Sequence, residues 1–241
     1  MSTISNLIFN GENHYITSPF GNRNAISTSK GTTGSYHNGT DYGTKSKKLP
    51  QYAIEDGYVF AAAKASDGAN YVWVIYPRIK KAFLHYHLDT ISVKAGQAVK
   101  KGTKLGTTGK TGKATGIHLH LGIRDLVKLS TDLIDKMTWT NLRACSYVDP
   151  EKVSYTPSKY TKGTYKVTCD VLNVRTGAGT KHGKKTFNQL TANAQKQIKE
   201  LNSGKAVNGL VEGCVCTVSE VKDNWGKIPS GWICLDYCKK V

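Results

Sequence analysis

No run of apolar residues in this chain approaches the ~20 needed to cross a bilayer. Met1 to Ile8 carry neither a basic stretch nor a long apolar one, so they do not read as a secretory leader. Acidic residues are scarce: 17 Asp and Glu stand against 34 Lys and Arg, for a net charge of +17. The excess is not a tail effect, because residues 1–150 hold 19 basic and 10 acidic residues and residues 151–241 hold 15 and 7. A polyanionic partner is the natural reading, whether nucleic acid, an acidic membrane or a wall polymer such as teichoic acid, and charge alone does not choose among them. Three reaction classes lack their motifs. There is no Gly-x-Ser-x-Gly elbow and no His-Glu-x-x-His helix, and Gly109-Lys110-Thr111 has Lys104 where a phosphate-binding loop needs glycine.

What is present is enough for packed domains. Hydrophobic residues make up 39% of the 241, and at roughly 100–200 residues per domain the length fits one large domain or two modest ones. Six cysteines, at 145, 169, 214, 216, 234 and 238, show neither the paired spacing of a zinc knot nor a context that calls for disulfides. Buried free thiols are the expectation.

Up to about residue 150 the chain reads as strands and turns. Tyr71–Tyr76 is a β-rich run, and Phe83–Leu88 and Ile117–Ile123 alternate with period two. Thr131–Ala144 reads as a helix. Residues 151–164, rich in Ser, Thr, Lys, Pro and Gly, read as a linker between a first domain, 1–150, and a second, 165–241. In the second domain, strands are expected over Tyr165–Val174, Gly213–Val221 and Gly231–Tyr237. A helical insertion is expected over Thr186–Asn202, with Phe187, Leu190, Ile198 and Leu201 as its apolar stripe. The expected class is mainly β.

The chemistry lies in the histidines. Of seven, six fall in the first domain, and four of those form His-x-His pairs. Residues two apart on a strand share a face, so His118 and His120 project together, and by the same parity so do His85 and His87. His37 and Asp41, four apart in a stretch with Gly and Thr, also share a face if extended. Such a wall suits zinc, which takes imidazole nitrogen and carboxylate oxygen and, in catalytic sites, keeps a fourth position for water. Satisfied, partly buried strand histidines are the bland alternative, and three even-spaced sets in one domain argue against it. His14 and His182 stand alone and read as surface residues; Cys145 follows the strand region and is not a convincing nucleophile.

Thr17-Ser-Pro-Phe-Gly-Asn-Arg23, His37-x3-Asp41, Tyr86-His87-Leu88, Gly109-Lys-Thr-Gly112 and Gly116-Ile-His118-Leu-His120 together resemble the lysostaphin-type zinc endopeptidases, which cut peptide bonds in bacterial peptidoglycan. The resemblance covers about residues 14–150 and implies an antiparallel β-sheet metallopeptidase domain holding one Zn²⁺ through His37, Asp41 and His120. It implies that His87 and His118 act on the attacking water and the tetrahedral intermediate, with His118 as general base and His87 beside the oxyanion. His85 stands where the family commonly has a large residue and is assigned to the cleft wall. Leu172-Asn-Val-Arg-Thr-Gly177, Gly213, Asn224-Trp225-Gly226-Lys227 and Gly231-Trp232-Ile233 with Tyr237 resemble a bacterial SH3-like wall-binding domain, a small β-barrel here lengthened by the insertion. Trp225, Trp232 and Tyr237 would then line a peptide groove.

The combined layout is that of a bacteriophage endolysin: a monomer made in the host cytoplasm without a signal peptide and released onto the wall of a Gram-positive cell. Peptidoglycan, with anionic wall polymers, would be its partner, and no nucleic acid is expected. Two other classes compete. One is a non-catalytic wall-binding or virion protein with a vestigial site, against which the complete set of five histidine and aspartate positions speaks. The other is a nucleic-acid binder, which the charge alone motivates.

Overall fold

The strand that contains Tyr71–Tyr76 is nearly all apolar because both of its faces are covered. In the computed structural model, which describes every residue except 1, 2, 26, 29, 30, 33, 157 and 158, the chain divides into two units, Met1–Thr156 and Pro157–Val241. Both are mainly β. No helix among the described residues is long and apolar enough to cross a membrane.

The first unit is organised by one antiparallel sheet. Its strands are β1 (Tyr15–Ser18), β2 (Thr40–Gly43), β3 (Gly57–Lys64), β4 (Asn70–Tyr76), β5 (Lys81–Leu88), β6 (Ala98–Val99), β7 (His118–Asp125) and β8 (Tyr147–Val148). They lie in the order β1-β2-β7-β5-β4-β3-β6, with β8 also paired to β7. Alternation sorts side chains between two cores. Val72, Val74 and Tyr76 on β4, Phe83 on β5 and Leu119, Leu121 and Ile123 on β7 pack with Ile4, Ile8 and Phe9 of the short helix α1 (Ile4–Ile8) and its end. On the opposite face Trp73, Ile75, Ala82 and Leu84 pack under Ile134 and Leu142. Those two come from α2 (Thr131–Asp135) and α3 (Trp139–Ala144).

Those helices correct the single helix expected over Thr131–Ala144. Thr138 has extended backbone and accepts the amide of Asn141 through its hydroxyl. It therefore caps a new helix instead of continuing the old one.

The stretch read as a linker, 151–164, is also shorter in fact. Tyr155 is buried, its hydroxyl donating to the Ile54 carbonyl at 2.8 Å, so the first unit runs to Thr156. Residues 157 and 158 lie outside those described. By Gly163 a strand of the second unit has begun.

In the second unit the expected strands are interrupted. β9 (Gly163–Val167) and β10 (Val171–Leu172) replace one run. Gly213 is not in a strand: at φ +89° it makes a turn, and the next strand begins at Val215. The Gly231–Tyr237 run stops at Cys234 and becomes a 3-10 turn. The insertion is a 3-10 turn at Phe187–Gln189 followed by α4 (Ala192–Leu201), capped by Thr191. Leu190 and Ile198 are buried as expected, but Leu201 is 52% exposed. All six cysteines are free thiols, Cys145 and Cys214 buried and the rest half-buried.

His85 is not in a cleft wall. Its parity matches Phe83, so it points into the larger core and is fully buried, with Nδ1 2.6 Å from Gln51 Oε1. The amide oxygen only accepts, so Nδ1 carries the proton. His85 Nε2 and the Gln51 amide nitrogen are both buried without a hydrogen-bond partner. Burial pulls the His85 pKa from 6.5 to about 3. The unfolded chain therefore binds a proton below pH 6.5 that the folded chain refuses until about pH 3, and stability falls as pH drops through that window. At pH 5 the cost is about 2 kcal/mol. Denaturant unfolding of the metal-free chain is expected to lose at least that much between pH 7 and pH 5, His87 and His120 adding losses of the same sign, and the double variant His85→Phe/Gln51→Leu to lose about 2 kcal/mol less than the parent. Equal losses would show that His85 does not carry the dependence.

Candidate metal centre

Four segments meet on the sheet face opposite His85. β2 pairs with β7 so that Asp41 stands across from His120 and Gly43 across from His118. With Tyr42, Leu119 and Leu121 claimed by the core, alternation leaves Asp41, His118 and His120 on the other side. His37 arrives from the two-residue strand just before β2 and is 4% exposed.

Three donor atoms converge. His37 Nε2 lies 3.2 Å from Asp41 Oδ1 and 3.0 Å from His120 Nδ1, and the latter is 2.9 Å from the same carboxylate oxygen. One shared proton cannot satisfy two ring nitrogens and a carboxylate together, whereas a divalent cation between them would. Two imidazoles and one carboxylate fit zinc in its catalytic form, which keeps one position open. His37, Asp41 and His120 are the residues that would hold it. Burial alone would raise the Asp41 pKa, but hydrogen bonds with His120 and His37 outweigh it and hold the carboxyl well below the usual carboxylate range. Burial lowers the His120 pKa. The carboxylate and the His120 ring thus stay deprotonated near neutrality, the form a metal needs.

The remaining imidazoles are aimed by backbone carbonyls. Nδ1 of His37 contacts the Pro19 carbonyl at 2.8 Å, Nδ1 of His87 that of Thr111 at 2.8 Å, and Nδ1 of His118 that of Gly116 at 2.9 Å. A carbonyl only accepts, so each Nδ1 carries the proton and each Nε2 keeps its lone pair. His118 Nε2 is 3.8 Å from Asp41 Oδ1, and the His87 and His118 rings are 4.8 Å apart. Burial, with His118 next, lowers the His87 pKa to about 4, so it is neutral at pH 7. In that tautomer His87 accepts a hydrogen bond; it can donate to an oxyanion only after gaining a second proton.

His87 reaches this face by breaking the strand rule. The pairing of β5 with β4 shifts between Tyr86 and Leu88, and His87 itself has φ +65°. That bulge returns Leu88 to the core and turns His87 to the side of Tyr86. The expectation that His85 and His87 share a face fails here. A non-glycine residue in left-handed backbone stores strain, as functional sites often do.

Two supports were not among the candidate residues. Arg23 donates to the Ser18 hydroxyl at 2.5 Å and lies 3.8 Å from the second Asp41 oxygen. Gly39 leaves room for the His120 ring: a Cβ there would sit 2.5 Å from the Leu121 carbonyl oxygen and 2.7 Å from His120. Glycine inside His-x3-Asp was the signal available for it. Of the second-unit candidates, Trp225 and Trp232 sit on the hairpin of β14 (Trp225–Ile228) and β15 (Gly231–Cys234), which follows β11 (Leu210–Val211), β12 (Val215–Val218) and β13 (Glu220–Lys222). Gly226, Ile228 and Ile233 face the core of this unit, so both tryptophans take the outer face, and Tyr237 is 53% exposed.

A β-sheet that gathers two imidazoles and a carboxylate beside two further imidazoles defines a metallopeptidase-type site. Residues 35–133, the stretch that carries the three donors and the two further imidazoles, match the model of peptidase family M23. A segment of 87 residues is 40% identical to peptidoglycan DD-endopeptidase ShyB of Vibrio cholerae, covering 36% of this chain and 20% of that protein. The matched stretch is thus about a fifth of that relative's length. Among solved structures, a zinc-containing peptidase from Vibrio cholerae is 31% identical, with a TM-score of 0.43, over 59% of this chain and 37% of that one. Lysostaphin from Staphylococcus simulans is 18% identical, with a TM-score of 0.43, over 92% and 88%.

Gly39→Ala is expected to weaken zinc retention about tenfold or more, the usual effect of disturbing what orients a ligand. Competition with a chromogenic chelator measures it. Unchanged affinity would mean that His120 is not placed by the missing Cβ.

Proposed function

We propose that the chain is a zinc-dependent endopeptidase that hydrolyses peptide bonds of bacterial peptidoglycan. The observation that carries this reading is the pair of Nε2 lone pairs, on His118 and His87, held beside the His37, Asp41 and His120 donors. A structural zinc site is closed and has no use for two free bases at its edge. The 40% identity with a protein named as a peptidoglycan DD-endopeptidase supports the substrate class.

Zinc bound to the three donors would supply Lewis acidity and a water whose pKa falls to about 7. His118 Nε2, its lone pair aimed beside the three donors, would accept a proton from the attacking water as that oxygen bonds to the scissile carbonyl carbon. The same proton then passes to the departing amine nitrogen as the C–N bond breaks. His87 accepts a hydrogen bond from the incoming water or the substrate amide and so fixes the line of attack. Asp41 lowers the net charge of the centre by one, and Arg23 holds the far side of its carboxylate.

The second unit is read as an SH3-like wall-binding module with Trp225, Trp232 and Tyr237 as its contact surface. Support comes from the outward placement of both tryptophans and the exposure of Tyr237. The two units together suit a phage endolysin acting on a Gram-positive wall. The +17 charge would favour its approach to anionic wall polymers.

His118→Ala is expected to keep zinc and lose activity by about 10²–10⁴. Clearing of purified walls gives the rate, and metal analysis gives the zinc content. Mass spectrometry of the released muropeptides identifies the bond cut. A variant that clears walls as fast as the parent would remove His118 from the mechanism.

A further inference from the structure

The sheet face that holds the metal donors continues into a second pocket. His120 and Arg124 are both on β7, an even four apart, so they share that face at a distance of about 13 Å. Across from them on β5, Tyr86 and Leu84 line both the metal cleft and this pocket of about 290 Å³. Tyr71 and Trp73 of β4 line it together with Tyr147 of β8 and Trp139 of α3, whose ring also packs 4.7 Å from that of Phe60 on β3. Between the two sites lies Gly122, where a Cβ would meet the Tyr147 ring at 3.2 Å. Its bare backbone lets Tyr147 close in on β7.

Two guanidinium groups, of Arg124 and Arg143, complete the lining. Arg124 lies 3.9 Å over the Tyr147 ring and donates through Nη1 to the carbonyls of Arg143 and Cys145. Its Nε is buried without a hydrogen-bond partner. Arg143 stacks 5.6 Å from the Trp139 ring centre. The arginines of this unit that have a carboxylate partner among the described residues are Arg23 and Arg78. Two cations without a counter-charge, set among aromatic rings, form a receptor for a carboxylate on an apolar stem. Trp139, Arg143 and Tyr147 all lie beyond the stretch that matches the family model, which ends at residue 133. The wall they form is therefore outside that match, while Tyr71, Trp73, Leu84, Tyr86 and Arg124 lie within it.

We propose that this pocket is a substrate subsite that takes a carboxylate-bearing branch of the peptide being cut. Arg143 and Arg124 pair with the carboxylate, and the aromatic walls cover the carbon chain that carries it. The span of about 13 Å corresponds to about four residues of extended peptide, so the carboxylate lies some way along the same chain from the scissile bond. This inference rests on the peptidase reading above.

The test uses the full chain stripped of zinc by chelation, so that binding is read without turnover. Soluble cross-linked muropeptides are titrated in two forms, with free carboxylates and with those groups converted to carboxamides. Calorimetry at fixed salt is expected to show the carboxylate form binding about tenfold tighter, the size of a charge-assisted pair. Arg143→Gln, at an exposed position on α3, is expected to abolish that preference, while Lys128→Gln, an exposed charge outside the pocket, leaves it intact. Trp139→Leu is expected to weaken both forms. Equal affinity for the two forms, absence of binding, or an unchanged preference in Arg143→Gln overturns the proposal. Cleavage by the zinc-loaded chain is scored separately. Cleavage without carboxylate preference sinks the subsite alone, whereas carboxylate-selective binding without cleavage of any wall sinks the peptidase reading and leaves the pocket's chemistry standing.

Discussion

The register between two neighbouring strands carries the site. Asp41 faces His120 because β2 and β7 pair at that position, and the pairing is locked from the opposite side by Tyr42, Leu119 and Leu121 in the core. A slip of one residue would bury both imidazoles and the carboxylate and expose the three core side chains. The hydrophobic free energy of one face thus holds the polar geometry of the other. Each fully buried large side chain contributes about 1.5–3 kcal/mol, so three of them make the slipped register inaccessible. His37 is then the one donor not placed by this ladder, and it is tied separately through the Pro19 carbonyl.

Where the backbone stays regular, the sequence was readable. His118 and His120 two apart, and His37 and Asp41 four apart, are on one face as parity requires, and the buried run Tyr71–Tyr76 is a strand covered on both sides. The same rule failed only in pairing His85 with His87, because parity holds only while φ stays extended, and the cleft-wall place of His85 had come from the resemblance. At His87 the chain enters the left-handed region, and nothing in the residue type announces that. Its cause lies 24 residues away, in a loop whose Thr111 carbonyl holds the ring and whose Thr111 hydroxyl donates to the Leu88 carbonyl at 2.9 Å. The Gly109-Lys-Thr-Gly112 segment was distinctive in sequence, yet its task is to clamp the strand beside it. Helix ends and the linker failed too. Thr138 caps a second helix through a local hydrogen bond that apolar spacing alone does not register, and Tyr155 anchoring residues 151–156 is a tertiary choice that local composition does not encode.

The sheet also explains why the cleft is where it is. One face is covered throughout by the core that includes α1 and its end. The other is covered only in part, by α2 and α3 over Trp73, Ile75, Ala82 and Leu84. Along β7 the uncovered end presents His118 and His120, and the covered end presents Arg124. Polar side chains occupy the stretch where no second layer excludes water, and the aromatic pocket forms at the border between the two regimes. Adding cover over the histidines would cost desolvation of two imidazoles and a carboxylate with no apolar area gained in return.

Charge in the cleft points to the kind of substrate admitted. Its lining carries Arg23 and Lys113 against Asp41 and Asp67, but neither carboxylate is free to face a ligand. Asp41 is held by His37, His120 and Arg23, and Asp67 accepts from the Tyr86 hydroxyl at 3.0 Å and from the Ala69 amide. A divalent ion at the donors would add two positive charges and cancel one through Asp41. The field met by an approaching chain is then positive from the metal centre outward. Such a field would repel a chain carrying a bare ammonium and draw in one carrying carboxylates, more strongly as ionic strength falls.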